Sequence, residues 1–179
     1  VMAQEKPYNI LFIAIDDLRP ELGCYGNEII KSPNIDRLAS SGMVFNRAYC
    51  QQAICMASRA SLMTGMFPSK NEIYSCIPVN RSNPEDITLN RFFESQGYSV
   101  RGYGKIYHFP VDHRNAFPDW VDSPSQPGKK WQGRGYLSEE SIAMTDEKGF
   151  GPAYESVEVD DSAYYDGYSA GKACKALRE

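Results

Sequence analysis

The chain predicts an α/β fold: a mixed sheet with helices on both faces. Two observations predict it. Residues 9–15 form a continuous apolar run closed by Asp16-Asp17, too short for an ordinary helix and too uniformly apolar for a half-exposed strand. Such a run reads as a central strand of a parallel or mixed sheet, covered on both sides. Residues 43–50 and 98–103 read as further strands, each preceded by a helical segment that ends at a glycine, Gly42 or Gly97.

Taken in order, residues 22–27 are a glycine-punctuated loop. Ser32 then opens a helix as N-cap, with Pro33 at its first position and Ile35, Leu38 and Ala39 on one face. Cys55 stands just before a run that reads as a helix, with Ala57, Ala60, Leu62 and Met63 as good helix formers, stopped by Gly65 and followed by the breaker Phe67-Pro68. Residues 71–86 are polar and loop-like, and Asn80-Arg81-Ser82 fits the N-glycosylation pattern. Leu89, Phe92 and Phe93 give residues 89–97 an amphipathic stripe. Residues 109–135 are rich in Pro, Gly and aromatics, and 136–161 show no clear period. A terminal helix over 166–179 would turn Ala170, Ala173, Cys174 and Leu177 inward. The expected organisation is a remnant at 1–8 and one domain portion over 9–179. Its core strands and motifs fall in 9–108, a loop-rich excursion in 109–165, and the last helix in 166–179.

With 42% hydrophobic residues in 179, the chain has material for one real core. Its 19 Lys and Arg against 23 Asp and Glu carry no basic block, which excludes a nucleic-acid binder. No apolar run approaches the roughly 18 residues of a membrane span. Val1-Met2-Ala3-Gln4 reads as the tail left by a removed signal peptide, hence a periplasmic or secreted protein, lysosomal in a eukaryote. Cys24, Cys50, Cys55, Cys76 and Cys174 form no C-x-x-C pair, and there are two histidines, which excludes a zinc ribbon, a thioredoxin site and a histidine-rich metal site. One or two disulfides remain open.

Three stretches carry chemistry. Cys55 falls at a helix N-terminus, where the dipole and free N–H groups favour an anion, and Arg59 lies one turn on. The plainer reading is a buried cysteine beside a surface ion pair. Asp16-Asp17 falls at the carboxyl end of the expected central strand, where two adjacent carboxylates call for a hard cation such as Ca²⁺ or Mg²⁺. The plainer reading there is a solvated turn. Lys105 and His108 follow the third strand, as either site residues or an ordinary surface lysine and hydrogen-bonded histidine. Other motifs fail: Ser61 stands where a cysteine-phosphatase loop needs Arg, Leu18 where a D-x-D phosphatase needs its second Asp, and Tyr107 where a dinucleotide fingerprint needs its third glycine.

The order of these stretches resembles the sulfatase family, whose signature is C-x-P-S-R-x-x-x-[LIVM]-T-G. Cys55, Ser58, Arg59, Met63, Thr64 and Gly65 match it, and Ala57 stands in place of the proline, as in some members. The likeness covers residues 9–108 and is strongest toward iduronate-2-sulfatase-like enzymes. It is carried by Leu22-Gly23-Cys24-Tyr25-Gly26, Ser32 to Ala39, Gln51 to Cys55 and Gly104-Lys105-Ile106-Tyr107-His108.

The resemblance implies an alkaline-phosphatase-like fold and hydrolysis of a sulfate ester on a sulfated sugar or polysaccharide, toward 2-sulfated uronates. It implies that a maturation enzyme converts Cys55 to formylglycine, whose hydrate is the nucleophile. Asp16, Asp17 and the modified residue 55 would bind Ca²⁺ (or Mg²⁺). Arg59 would hold the formylglycine, Lys105 would contact the sulfate, and His108 would help the covalent sulfate intermediate collapse. Sulfatases run to several hundred residues and draw further metal ligands from a C-terminal half. The expectation is therefore an N-terminal piece with an incomplete metal site and little activity alone. Two rivals stay open: a phosphonate or phosphate ester hydrolase on the same scaffold, and a non-catalytic module binding sulfated glycans.

Overall fold

A computed structural model describes residues 8–74, 87–108, 125–126, 129–130 and 135–179. The glycosylation pattern at Asn80 and residue Cys76 lie outside them. The described helices are α1 (Pro33–Ser41), α2 (Cys55–Thr64), α3 (Pro68–Asn71), α4 (Leu89–Ser95), α5 (Glu139–Lys148) and α6 (Tyr165–Ala176), with short 3₁₀ turns at Gly23–Tyr25 and Asp161–Ala163.

The stop signals act where the sequence puts them. Gly65 takes a left-handed conformation (φ 69°) and donates its N–H to Ser61, closing α2. Pro33 occupies the first turn of α1, and Gly42 ends it. Ser32 does not cap a helical N–H with its side chain. Its Oγ accepts from the Gly23 N–H (3.0 Å) and donates to the Asp36 carboxylate (2.9 Å), which also accepts from the Cys24 N–H (2.8 Å). These bonds fasten the 22–26 loop onto α1. A Cβ on Gly23 would collide with the Asp36 carboxylate, so that approach requires glycine.

The core of the described residues centres on α2, which packs against α3 and α4. Met56, Ala57, Ser61 and Met63 are buried on it, and Ala57 is wholly excluded from solvent. On α4 the buried residue is Asn90, with Phe93 half-buried and Phe92 exposed, so the inward face differs from the expected stripe.

The described residues bear on three expectations. Residues 9–15, 43–50 and 98–103 do not form a sheet among the described residues. The paired strands are the two-residue antiparallel ladder of β1 (Ser125–Gln126) and β2 (Lys129–Lys130). Ile10, Leu11, Phe12, Ile13 and Ile15 are more than half exposed, and an apolar strand gains its ladder only from neighbours on both edges. On α6, Ala170, Cys174 and Leu177 are exposed. That helix approaches Gly104 through Tyr165 and Ser169 instead. The expected loop-rich excursion over 109–165 contains α5, a ten-residue helix.

α5 is held at its N-terminus by side chains. Ser138 caps it by accepting from the Ser141 N–H. The Glu155 carboxylate accepts from the N–H groups of Leu137 (2.6 Å) and Ser138 (3.2 Å), the Ser138 hydroxyl (2.9 Å) and the Tyr164 hydroxyl (3.1 Å). Burial pushes this carboxyl up, but the hydrogen bonds from Leu137, Ser138 and Ser141 outweigh burial and bring it down to about 2. Glu155→Gln should therefore cost about 1 kcal/mol of stability near neutrality. A depressed carboxyl stabilises above its ordinary 4.5 and loses that contribution as pH falls through about 2. Denaturation of both proteins across that range should show the gap hold at neutral pH, then shrink below pH 4.5 and close.

Candidate active site

α2 begins where Ile54, in extended conformation, hands its carbonyl to the Ser58 N–H (2.9 Å). Ile54 offers no capping side chain, so the first turn presents the positive end of the helix dipole without a capping oxygen from that position. Cys55 is the first helical residue and is half-buried, with its Sγ 3.3 Å from His108 Nδ1.

Arg59 lies one turn further, and its side chain is only 12% exposed. Its Nη1 donates to the carbonyls of Lys105 (2.5 Å) and Ile106 (3.0 Å), and its Nη2 to Asp16 Oδ1 (2.8 Å). Lys105 Nζ donates to the other Asp16 oxygen (2.5 Å). Partial burial pushes the Asp16 carboxyl up, but hydrogen bonds from Arg59 and Lys105, with their charges, hold it below the ordinary carboxylate range. The two ion pairs differ in weight. Lys105 and Asp16 are each about a third exposed, where such a pair contributes about 0–1 kcal/mol. The bonds of Arg59 to two carbonyls are better shielded and dominate the positioning.

The segment carrying Lys105 and His108 reaches α2 because Gly102 and Gly104 are buried, Gly104 in a left-handed conformation (φ 72°). Tyr107 is tied to α4 through its hydroxyl, which donates to Asn90 Oδ1 (2.8 Å). Asn90 is not among the residues singled out from the sequence, and Tyr107 appears there without a site role. The available signal was a polar side chain beside Leu89, at the inward edge of an amphipathic helix.

Compared with known proteins, residues 8–171 match the family model described as Sulfatase. The chain belongs to the sulfatase family. It is 38% identical over 126 residues to iduronate 2-sulfatase of Mus musculus, covering 68% of this chain and 23% of that protein. It is 37% identical over 126 residues to the Homo sapiens iduronate 2-sulfatase, with the same coverage. It is 34% identical over 139 residues to an ulvan-active sulfatase of Formosa agariphila, covering 78% of this chain and 27% of that protein. The chain thus spans about a quarter of the length of these curated relatives.

In this sulfatase segment, Cys55, Arg59, Lys105, His108 and Asp16 meet at the start of α2. Asp17 is beside them in sequence, exposed and in a left-handed conformation (φ 53°). The expected metal set of Asp16, Asp17 and Cys55 does not gather into one group: among the described residues no three His, Cys, Asp or Glu side chains do so. Asp16 is turned to Arg59 and Lys105, and Cys55 to His108. By donor type, the adjacent carboxylates do suit a hard, oxygen-seeking cation. The Arg59 Nε is buried with no hydrogen-bond partner, a donor that suits an anionic oxygen. A groove of about 280 Å³ lined by Tyr49, Ser58, Ser61, Leu62 and Phe67 lies along α2 and includes none of these five residues.

Arg59→Lys should lose the two-carbonyl clamp, because an ammonium lacks the planar fork that reaches both carbonyls and Asp16 together. The expected cost is about 1–3 kcal/mol. Hydrogen exchange over residues 104–108 should accelerate in the variant while α5 keeps its protection.

Proposed function

We propose that this segment supplies the nucleophile-bearing part of a sulfuric ester hydrolase acting on a sulfated sugar or polysaccharide, of the uronate-2-sulfate kind. The single observation that supports it most is the meeting of Cys55, Arg59, Lys105 and His108 with Asp16 at the α2 N-terminus. Relatives named iduronate 2-sulfatase and ulvan-active sulfatase favour a carbohydrate substrate.

A sulfate monoester is anionic at every biological pH, so an anionic nucleophile is repelled unless fixed positive charge offsets it. Arg59 and Lys105 provide two such charges, and the α2 N-terminus adds a third, partial one. Residue 55, converted to formylglycine by a maturation enzyme, supplies a geminal diol: one hydroxyl attacks sulfur and displaces the sugar hydroxyl, and deprotonation of the second expels sulfate and restores the aldehyde, which water rehydrates. Arg59, with its buried unpartnered Nε, holds that diol in place. Lys105 binds the sulfate oxygens. His108, in contact with residue 55, manages the proton whose removal collapses the covalent intermediate. Asp16 and Asp17, with residue 55, would hold Ca²⁺ (or Mg²⁺), which when bound supplies further neutralisation of the sulfate charge. No described helix is long and apolar enough to cross a membrane, and the substrate class fits a periplasmic, secreted or lysosomal setting.

The test uses the full-length protein matured in its native host, assayed on a 2-sulfated uronate disaccharide and on the matching phosphate monoester. Sulfate release should dominate, and Cys55→Ala should remove it by at least about a thousandfold. Faster phosphate release would establish the phosphohydrolase alternative. Tight binding of the sulfated disaccharide without turnover would establish a binding module.

A further inference from the structure

The segment 104–108 has no regular secondary structure of its own, so side-chain bonds from its neighbours set its position. Besides the Lys105–Asp16 and His108–Cys55 contacts, two described bonds reach its backbone and its Tyr107. Arg59 holds the carbonyls of Lys105 and Ile106 from the α2 side. Asn90 holds the Tyr107 hydroxyl from the α4 side. Asn90 is 3% exposed, and its Oδ1 also accepts from the Thr88 hydroxyl (2.7 Å), which fixes the amide at the start of α4. An asparagine buried at this depth costs stability unless its polar atoms are used, and here its oxygen takes two hydroxyl donors.

We propose that Asn90, through Tyr107, is a positioning residue that sets His108 against residue 55. The two clamps divide the labour. Arg59 fixes the end of the segment that carries Lys105, and therefore the anion-binding charges. The Asn90–Tyr107 bond fixes the end that carries His108, the adjacent residue, whose Nδ1 meets Cys55 Sγ at 3.3 Å. Releasing the second clamp lets His108 drift while Arg59 continues to hold Lys105 and Asp16. The consequence is a loss of turnover without a loss of substrate binding. The turnover arm of the test rests on the sulfatase reading above; the geometric arm does not.

The experiment compares full-length wild type with Y107F, N90A and N90D. Y107F removes one hydroxyl and leaves the ring, so folding is not at stake. On a sulfated substrate, kcat should fall about tenfold in Y107F and N90A while KM stays within about twofold. The N90A/Y107F double variant should be no worse than N90A alone, because the Tyr107–Asn90 bond that Y107F removes is already broken in N90A. N90D, which keeps an acceptor oxygen for Tyr107 and Thr88, should recover much of kcat. In parallel, unmatured protein carrying the Cys55 thiol is alkylated with iodoacetamide at one fixed pH. Cys55 should react several-fold more slowly in Y107F and N90A than in wild type, as its histidine contact loosens. A Y107F protein with wild-type kcat and wild-type alkylation rate overturns the proposal, as does a loss that appears entirely in KM. Wild-type protein that releases no sulfate refutes the sulfatase reading alone, and the alkylation rates then decide the positioning role.

Discussion

One guanidinium joins three separate parts of this molecule. Arg59, on α2, reaches Asp16 from the N-terminal segment and the carbonyls of Lys105 and Ile106 from a segment nearly fifty residues away. Among the described residues no regular secondary structure holds the Asp16 or the 104–108 backbone, and these bonds, with the Asn90–Tyr107 bond, help to place them. A fork with five donors in one plane suits the task, and a lysine at this position would not. The chemistry of the site depends on this one side chain staying in place.

Around it the electrostatics are consistent. Arg59 and Lys105 share one carboxylate, Asp16, so positive charge remains to meet an anion, reinforced by the helix dipole behind Cys55. Ala57 at complete burial shows why this helix carries a small residue at the position where the family signature has proline: its face is packed inward with Met56, Ser61 and Met63. The left-handed stop at Gly65 limits α2 to ten residues and turns the chain into α3.

Local signals in the sequence carried the helices and the order of the site. Pro33, Gly42 and Gly65 mark ends that depend only on backbone preferences, and Cys55 and Arg59 are one turn apart at the start of a helix whose stop Gly65 marks. What the sequence did not disclose depends on contacts far apart in the chain. An apolar run such as 9–15 becomes a strand only when partner strands lie alongside, and apolarity says nothing about where they come from. α5 escaped because Ile142 and Met144 are too few to set a period. Its support is polar, from Ser138 and from Glu155 beyond its C-terminus. Asn90 escaped because an amphipathic reading places polar residues outward, whereas this one is buried for its two hydrogen bonds.

The central claim is that residue 55 is the nucleophile in its formylglycine form, held by Arg59 and served by His108. Peptide mass spectrometry of the segment containing Cys55, from full-length protein made in its native host, tests it most directly. A loss of about 18 Da relative to cysteine is the predicted result, the mass change of thiol to aldehyde that creates the nucleophile. An intact thiol throughout the native material would contradict the account and leave the cluster an anion-binding site without the group that performs the reaction.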